Sequence, residues 1–119
     1  PIQIAATVTL NEATEYPSEL SEVYQSRRDA LVDGLARIGW EIPRPRGTMF
    51  AWARIPEAYA EMDSIEFATH VVNECDVAVS PGVGFGPGGE RFVRFALIEN
   101  EQRIGQAVRN LKRGLTRLA

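Results

Sequence analysis

The run RFVRFALIEN at residues 91–100 places an arginine in the middle of an apolar, strand-like segment. Successive side chains of an extended strand point to opposite faces. One face then carries only apolar side chains, which are Val93, Phe95 and Leu97. The other face carries Arg94 together with Phe92, Ala96 and Ile98. The run therefore predicts a strand that has one buried face and one face with a permanent positive charge.

A guanidinium in a largely buried strand needs a partner, because it keeps its charge in proteins. It is best matched by a carboxylate or phosphate that it grips with two parallel hydrogen bonds. Three explanations of Arg94 fit the sequence. Glu90 or Glu99 pairs with it, or its sheet face is open, or a ligand brings the anion. The pattern alone leaves these alternatives open.

Helix patterns stand at the start of the chain and before the first strand. The segment PIQIAATVTLN at residues 1–11 predicts a helix rich in apolar side chains. Residues 18–38 predict a long amphipathic helix that Ser18 caps and that Gly39 ends in a left-handed conformation. Its apolar positions recur at intervals of three, four or seven, and are Leu20, Tyr24, Leu31, Leu35 and Ile38.

Two more helices are predicted in the second half of the chain. Asp63 and Glu66 have the spacing of a capping box at the start of MDSIEFATHVVNEC, residues 62–75. The apolar face predicted for this helix consists of Ile65, Ala68, Val71, Val72 and Cys75. Asn100 is a plausible N-cap for a closing helix. The apolar positions of that helix are Ile104, Val108, Leu111, Leu115 and Leu118.

Short strands complete the pattern. Residues 49–55, MFAWARI, and residues 77–82, VAVSPG, predict strands, and a glycine-rich loop, GVGFGPGGE, leads into the run around Arg94. The predicted order is helix, long helix, strand, helix, strand, strand, helix, without a clear domain boundary. Such an order predicts an α/β or α+β sandwich, with a small sheet covered by helices on one face.

Composition narrows the class of protein. The chain has 119 residues, enough for one domain with a core, and is 45% apolar and 24% charged. Its net charge of −3 argues against a nucleic-acid or acidic membrane partner. A single cysteine, Cys75, excludes an intrachain disulfide, and no segment has the length and apolarity of a membrane span or signal peptide. We expect a soluble, cytoplasmic domain.

Several apparent motifs have simpler explanations. Residues 84–89 satisfy G-x-G-x-x-G, but the loop contains a proline and runs into a strand, whereas dinucleotide binding requires a following helix. His70 is the only histidine, so a metal site or a catalytic triad is not expected. Cys75 reads as a small core residue. The basic residues of the closing helix read as a solvated face.

Nearly the whole chain resembles the C-terminal part of class I/II aminotransferases, which belong to the fold-type-I pyridoxal-phosphate enzymes. The stretches that carry the resemblance are PIQIAATVTLN, YQSRRDALVDGLARIGWEIPRPRGTMFAWARIPE and SIEFATHVVNECDVAVSPGVGFGPGGERFVRFALIENEQRIGQAVRNLKRGL. They are most similar to bacterial alanine, aspartate or diaminopimelate-type aminotransferases. Their order and spacing agree along the chain.

The resemblance implies a fold and a binding role. The fold is a small, mainly antiparallel sheet covered by helices, and residues 1–119 form the small C-terminal domain, with residues 1–17 joining a larger one. Arg94 matches the strand arginine that grips the α-carboxylate of the substrate, an amino acid or a 2-oxo acid. The turn at Gly47 and Thr48 and the loop Ser80 to Gly89 are expected near the substrate entrance.

The chain departs from the family pattern at the cofactor. Transamination needs a lysine that forms a Schiff base with pyridoxal 5'-phosphate. The only lysine here, Lys112, lies in the closing helix outside any Ser-x-x-Lys sequence. We expect no catalytic residue, no bound cofactor and no metal in this chain, and no transaminase activity from it alone. The parent enzyme is expected to form a homodimer.

An alternative interpretation remains. The chain also fits a free-standing α+β module that binds an amino acid or mediates association between proteins. A third interpretation is a purely structural dimerisation piece, because the segment at residues 1–10 would expose an apolar face if a former neighbour is gone, and we expect self-association through it.

Overall fold

A computed structural model describes residues 1–118 and confirms the predicted element order and the α+β class. The helices are α1 (Ile2–Glu12), α2 (Tyr16–Arg37), α3 (Ser64–Cys75) and α4 (Glu101–Gly114). The strands are β1 (Phe50–Arg54), β2 (Ser80–Pro81) and β3 (Phe92–Ala96). No helix within these 118 residues is long and apolar enough to cross a bilayer.

The three strands form an antiparallel sheet in the order β1-β3-β2, so the strand that carries Arg94 is central. The inward face is apolar and buried, and consists of Ala51, Ala53, Val93 and Phe95. Helices α2, α3 and α4 cover this face, and their buried side chains form one core with it. The sheet is therefore covered on one side, as predicted.

Trp40 joins the helices to the sheet at the centre of this core. Gly39 follows α2 with φ of +85°, a conformation that suits glycine, and the chain reverses there. The reversal brings the indole ring of Trp40 edge-to-face against Phe67 of α3 and Phe95 of β3, at centroid distances of 5.7 and 5.6 Å. Its Nε1 donates to the carbonyl of Arg54 at 2.8 Å, so the buried donor is satisfied.

The start of α2 differs from the prediction. The helix begins at Tyr16, and Ser18 lies inside its first turn instead of capping it. The Ser18 amide donates to the Glu15 carbonyl at 3.1 Å. Pro17 explains the difference, because its fixed φ suits the first turn of a helix and its missing N–H costs nothing there.

The capping box of α3 is confirmed, but its predicted apolar face is wrong at two of its five positions. Asp63 Oδ1 accepts from the amide of Glu66 at 2.8 Å, and Glu66 Oε2 accepts from the Asp63 amide at 3.0 Å. Ile65 and Val72 are 56% and 46% exposed. The buried face contains the predicted Ala68, Val71 and Cys75 together with Ser64 and Phe67. The ring of Phe67 sets this face, because it packs against two other aromatic rings.

The second strand is shorter than predicted, and the closing helix ends at Gly114, before the predicted positions Leu115 and Leu118. Only Ser80 and Pro81 pair with β3, since proline has no N–H to extend the ladder. Asn100 caps α4 by accepting from the amide of Arg103 at 2.9 Å. The buried positions after this cap are Ile104, Val108, Leu111 and Leu115.

Candidate functional site

Among residues 1–118, no α-helix packs on the outward face of the sheet, which carries Arg94 at its centre. Trp52 of β1 and Ser80 of β2 lie opposite Arg94 on its two sides. Trp52 is 38% exposed, and Arg94 is half-buried. Alternate residues of the five-residue strand β3 therefore point into the core, and the others, Arg94 among them, point to the outward face, as the sequence indicated.

Two phenyl rings pack on the guanidinium of Arg94. Its Cζ lies 3.9 Å from the ring centroid of Phe50 and 4.0 Å from that of Phe85. Phe50 belongs to β1 and Phe85 to the loop after β2, so the rings reach the cation from opposite sides of β3. Within residues 1–118 these are the two rings over Arg94. The contacts are cation–π interactions, which hold a guanidinium without neutralising it.

No carboxylate of residues 1–118 pairs with Arg94, so the internal ion pair is excluded for the part of the chain described. Glu90 Oε1 accepts from the amide of Ser64 at 2.7 Å. Glu99 faces Arg103, with 4.0 Å between Oε2 and Nε. The Nε of Arg94 is buried and has no hydrogen-bond partner within these residues. Of the three explanations of Arg94, an open sheet face and an anionic ligand remain.

An apolar cleft of about 370 Å³ lies on the far side of the Phe85 ring from Arg94, which does not line it. Trp52 lines this cleft and packs edge-to-face against Phe85 and Phe92, at centroid distances of 5.5 and 6.2 Å. Gly88 and Gly89 complete the wall. A fixed positive charge that one ring separates from an apolar cleft suits a ligand that has an anionic head and an apolar body.

The glycine-rich loop that carries Phe85 is closed by direct backbone contact. Gly82 and Gly89 touch, since a Cβ on Gly82 would lie 2.1 Å from the Gly89 carbonyl oxygen. The loop contains two 3-10 turns, Gly82–Phe85 and Pro87–Gly89. It leads into β3, so the G-x-G-x-x-G match has no helix after it for a phosphate.

Gly47 and Thr48 lie in the turn before β1 and line a different cleft, of about 450 Å³, against the start of α2. The turn joins the sheet beyond Arg94, where the Leu97 amide donates to the Met49 carbonyl at 2.8 Å. Thr48 has φ of +71°, an unusual value for a β-branched residue. These residues are thus neighbours of Phe50 along the chain, while the cleft they line is separate.

The other singled-out residues lie away from this face. Lys112 is exposed on α4, in the helical layer on the opposite side of the sheet. His70 has its ring 5.4 Å from that of Tyr59, and its Nε2 is buried without a hydrogen-bond partner within residues 1–118. Burial raises the pKa of the Cys75 thiol, which disfavours the thiolate. No cluster of three metal-ligating side chains occurs in the described residues.

Sequence reasoning missed the two rings on Arg94. Phe50 had a usable signal, because it has the same parity as Trp52 in β1 and so points to the outward face. Phe85 had none, because the direction of a side chain in a glycine-rich loop depends on how the loop closes.

The chain is similar to known aminotransferases. The family model described as aminotransferase class I and II matches residues 1–111. The chain is 49% identical over 116 residues to the putative aminotransferase AatC of Rhizobium meliloti (strain 1021), covering 98% of this chain and 29% of that protein. It is also 49% identical over 112 residues to the glutamate-pyruvate aminotransferase AlaC of Escherichia coli (strain K12), covering 94% and 27%.

A solved structure shows the same fold. The aromatic aminotransferase from Pyrococcus horikoshii OT3 superposes with a TM-score of 0.85 at 27% identity, over 97% of this chain and 31% of that one. This chain thus spans less than a third of the length of each of these three proteins. From the match over residues 1–111, the chain belongs to the class I and II aminotransferase family.

Proposed function

We propose that this chain is the C-terminal small domain of an aminotransferase that exchanges an amino group between an amino acid and a 2-oxo acid. The observation that carries the proposal is Arg94, a charged residue on an open sheet face without a counter-ion in residues 1–118. The family match supports the parent activity. The names of the relatives, among them a glutamate-pyruvate aminotransferase, support amino acids and oxo acids as substrates.

Arg94 would bind the α-carboxylate of the substrate. A planar guanidinium matches a carboxylate in shape and charge, and a bidentate pair fixes both the position and the direction of the bound group. Holding the carboxylate at one point sets the place of the α-carbon, which is the reacting atom. The Phe50 and Phe85 rings that contact the guanidinium would keep water from the bound carboxylate.

The turn at Gly47 and Thr48 and the loop Ser80 to Gly89 would form two sides of the substrate entrance. The loop supports this role most directly, since Phe85 contacts the Arg94 guanidinium. The turn reaches the same face only through Phe50, two residues after Thr48. We therefore expect substitutions at Thr48 to act through the placement of the Phe50 ring.

The residues of this chain do not fit the cofactor of the family, pyridoxal phosphate. The cofactor needs a lysine amine. Lys112 is exposed on α4, in the helical layer behind the sheet, whereas Arg94 faces outward. The cofactor lysine would therefore belong to residues outside this chain, and we expect the chain by itself to bind no cofactor and to transfer no amino group.

Helix α1 supports the proposal that residues 1–17 join a larger domain. None of its side chains is buried. Ile2, Ile4 and Leu10 are 86%, 70% and 79% exposed. An apolar surface of this kind is normally covered by another part of a protein. In the proposed parent enzyme, the large domain or the second subunit of a homodimer would cover it.

The alternative, a free-standing module that binds an amino acid or associates with proteins, makes a different prediction for α1. In the alternative, α1 stays exposed in the whole protein, whereas in the main proposal it is covered there. Ile4→Glu should lower self-association of the isolated chain, measured by sedimentation velocity at increasing concentration, in both cases. It should lower the amino-transfer activity or stability of the full-length enzyme only in the main proposal.

The test of the proposed function is Arg94→Gln in the full-length protein. Each hydrogen bond to a charged group contributes about 1.5–3 kcal/mol, so losing two should lower kcat/KM for amino transfer about 10²–10⁴-fold. Arg54→Gln is the matched control, because Arg54 is an exposed arginine at the end of β1. A loss at Arg94 no larger than that at Arg54 would contradict the proposal.

A further inference from the structure

We propose that Phe50 and Phe85 are positioning residues that cover the two faces of the Arg94 guanidinium, so that an anion reaches only its edge. The site then selects planar carboxylates over tetrahedral anions. This inference rests on the proposed function, in which Arg94 binds a carboxylate. It adds a reason why the charge is flanked by rings and not by polar groups.

The distances leave no space between the cation and the rings. The Cζ of Arg94 is 3.9 and 4.0 Å from the two centroids, which is van der Waals contact between the guanidinium carbon and each ring. One ring comes from β1 and the other from the loop beyond β2. Because the rings come from opposite sides of β3, each would cover one face of the guanidinium, and neither a water molecule nor a ligand oxygen would fit between the cation and a ring.

The edge of the Arg94 guanidinium is also closed on its Nε side. The Nε of Arg94 is buried and has no partner within residues 1–118, while the residue as a whole is half-buried. A ligand that approaches from solvent therefore meets the Nη end of the group. Donors of a guanidinium lie in its plane, and a carboxylate presents its two oxygens in one plane, so the two groups can be coplanar in the gap between the rings.

A sulfonate does not fit this gap as well. When two of its oxygens accept hydrogen bonds in the guanidinium plane, its third oxygen lies out of that plane. There it would be next to apolar ring edges and would lose water without gaining a donor, which is unfavourable. The rings thus convert a general anion site into one that prefers a flat, two-oxygen anion.

The position of Phe85 depends on the closed glycine-rich loop. Gly82 and Gly89 hold the two ends of the loop together by backbone contact, and the Val83 amide donates to Ser64 Oγ at 3.2 Å. Phe85 itself is 50% exposed, so shortening its side chain removes the ring from Arg94 without opening the core. It is therefore the better position for a test than Phe50, which is part of β1.

The experiment uses the full-length protein and measures competitive inhibition of amino transfer by propionate and by ethanesulfonate. We expect the wild type to bind propionate more tightly. Phe85→Leu should reduce this preference about twofold to thirtyfold, which is the fold-change that corresponds to a cation–π contact. Phe85→Tyr keeps a ring and should keep the preference. Phe92→Leu is the matched control, because that ring lies on the same sheet face and packs on Trp52.

The outcomes separate the two proposals. If Arg94→Gln weakens both inhibitors and Phe85→Leu lowers the preference, both proposals hold. If Arg94→Gln weakens both inhibitors but Phe85→Leu and Phe50→Leu leave the preference at the wild-type value, the role of the rings is wrong and the carboxylate site stands. If Arg94→Gln changes neither constant, the site itself is wrong.

Discussion

The change Gly82→Ala tests whether backbone contact closes the loop that carries Phe85. A Cβ added to Gly82 would lie 2.1 Å from the carbonyl oxygen of Gly89 and 2.5 Å from that of Phe92. Both neighbours are backbone atoms, so no side chain can swing away. Each carbonyl would have to retreat by about 1 Å to reach ordinary contact distance. Gly82 is also buried, so the strain cannot be relieved toward solvent.

The expected cost follows from this overlap. Forcing extra volume into a packed site costs typically about 1–3 kcal/mol, and two backbone contacts place Gly82→Ala near the upper end. Gly84 lies in the same 3-10 turn and does not have a positive φ, and a Cβ added to it would meet nothing within 4 Å. Gly84→Ala should be neutral or stabilise by up to about 1 kcal/mol, because alanine restricts the unfolded chain.

Urea unfolding followed by circular dichroism measures both variants against the unsubstituted chain. With a slope of about 1–3 kcal/mol per molar urea, Gly82→Ala should lower the midpoint by roughly 1–3 M. Equal midpoints for Gly82→Ala and Gly84→Ala would refute the reasoning, because they would mean that the loop ends are not in contact. If the full-length Gly82→Ala protein folds and keeps the wild-type preference for propionate, the position of Phe85 does not depend on this loop contact.

Two further expectations concern the ends of helices and a surface ion pair. Asp63→Ala removes the acceptor of the α3 capping box and should lower the free energy of unfolding by about 1 kcal/mol, measured by the same urea titration, with Glu57→Ala as a control outside the box. The Arg117 side chain, by hydrogen bonding, lowers the pKa of the Glu61 carboxyl. A lowered pKa means that the contribution of Glu61 to stability is present at neutral pH and is lost as the pH falls through that value. Arg117→Gln should weaken the acid dependence of the melting temperature, and an identical acid dependence in both proteins would count against this ion pair.

Patterns that depend on one element were predictable from the sequence. The alternation around Arg94 predicted which residues of β3 are buried, because the period of a strand is two regardless of its surroundings. The cap at Asn100 and the capping box at Asp63 were predictable for the same reason, since donor and acceptor lie within one helical turn.

Features that depend on two elements were not predictable. In α3, one stripe of apolar residues contains Ile65 and another contains Phe67, and both have helical spacing. The structure buries Phe67, because Trp40 and Tyr59 offer it aromatic contacts that no local pattern reveals. Glu90 looked available to Arg94, yet its carboxylate accepts from an amide at the start of α3.

The site itself divides in the same way. Arg94 was identified from its own strand and from the family resemblance, while the rings that cover it come from other elements. Phe85 reaches the guanidinium only after a loop of 3-10 turns has closed through two glycines. Such closure depends on backbone conformations that a residue pattern does not specify.

The placement of Arg94 in β3 has a consequence for length changes in this strand. Along the five residues of β3, side chains that point into the core alternate with side chains that point to the site, so both sets depend on the same strand register. An insertion or deletion of a single residue would turn every following side chain to the other face. The guanidinium would then point into the helical layer and an apolar side chain would replace it outside. Point substitutions in β3 can therefore damage the core or the site separately, whereas a one-residue change in length damages both at once.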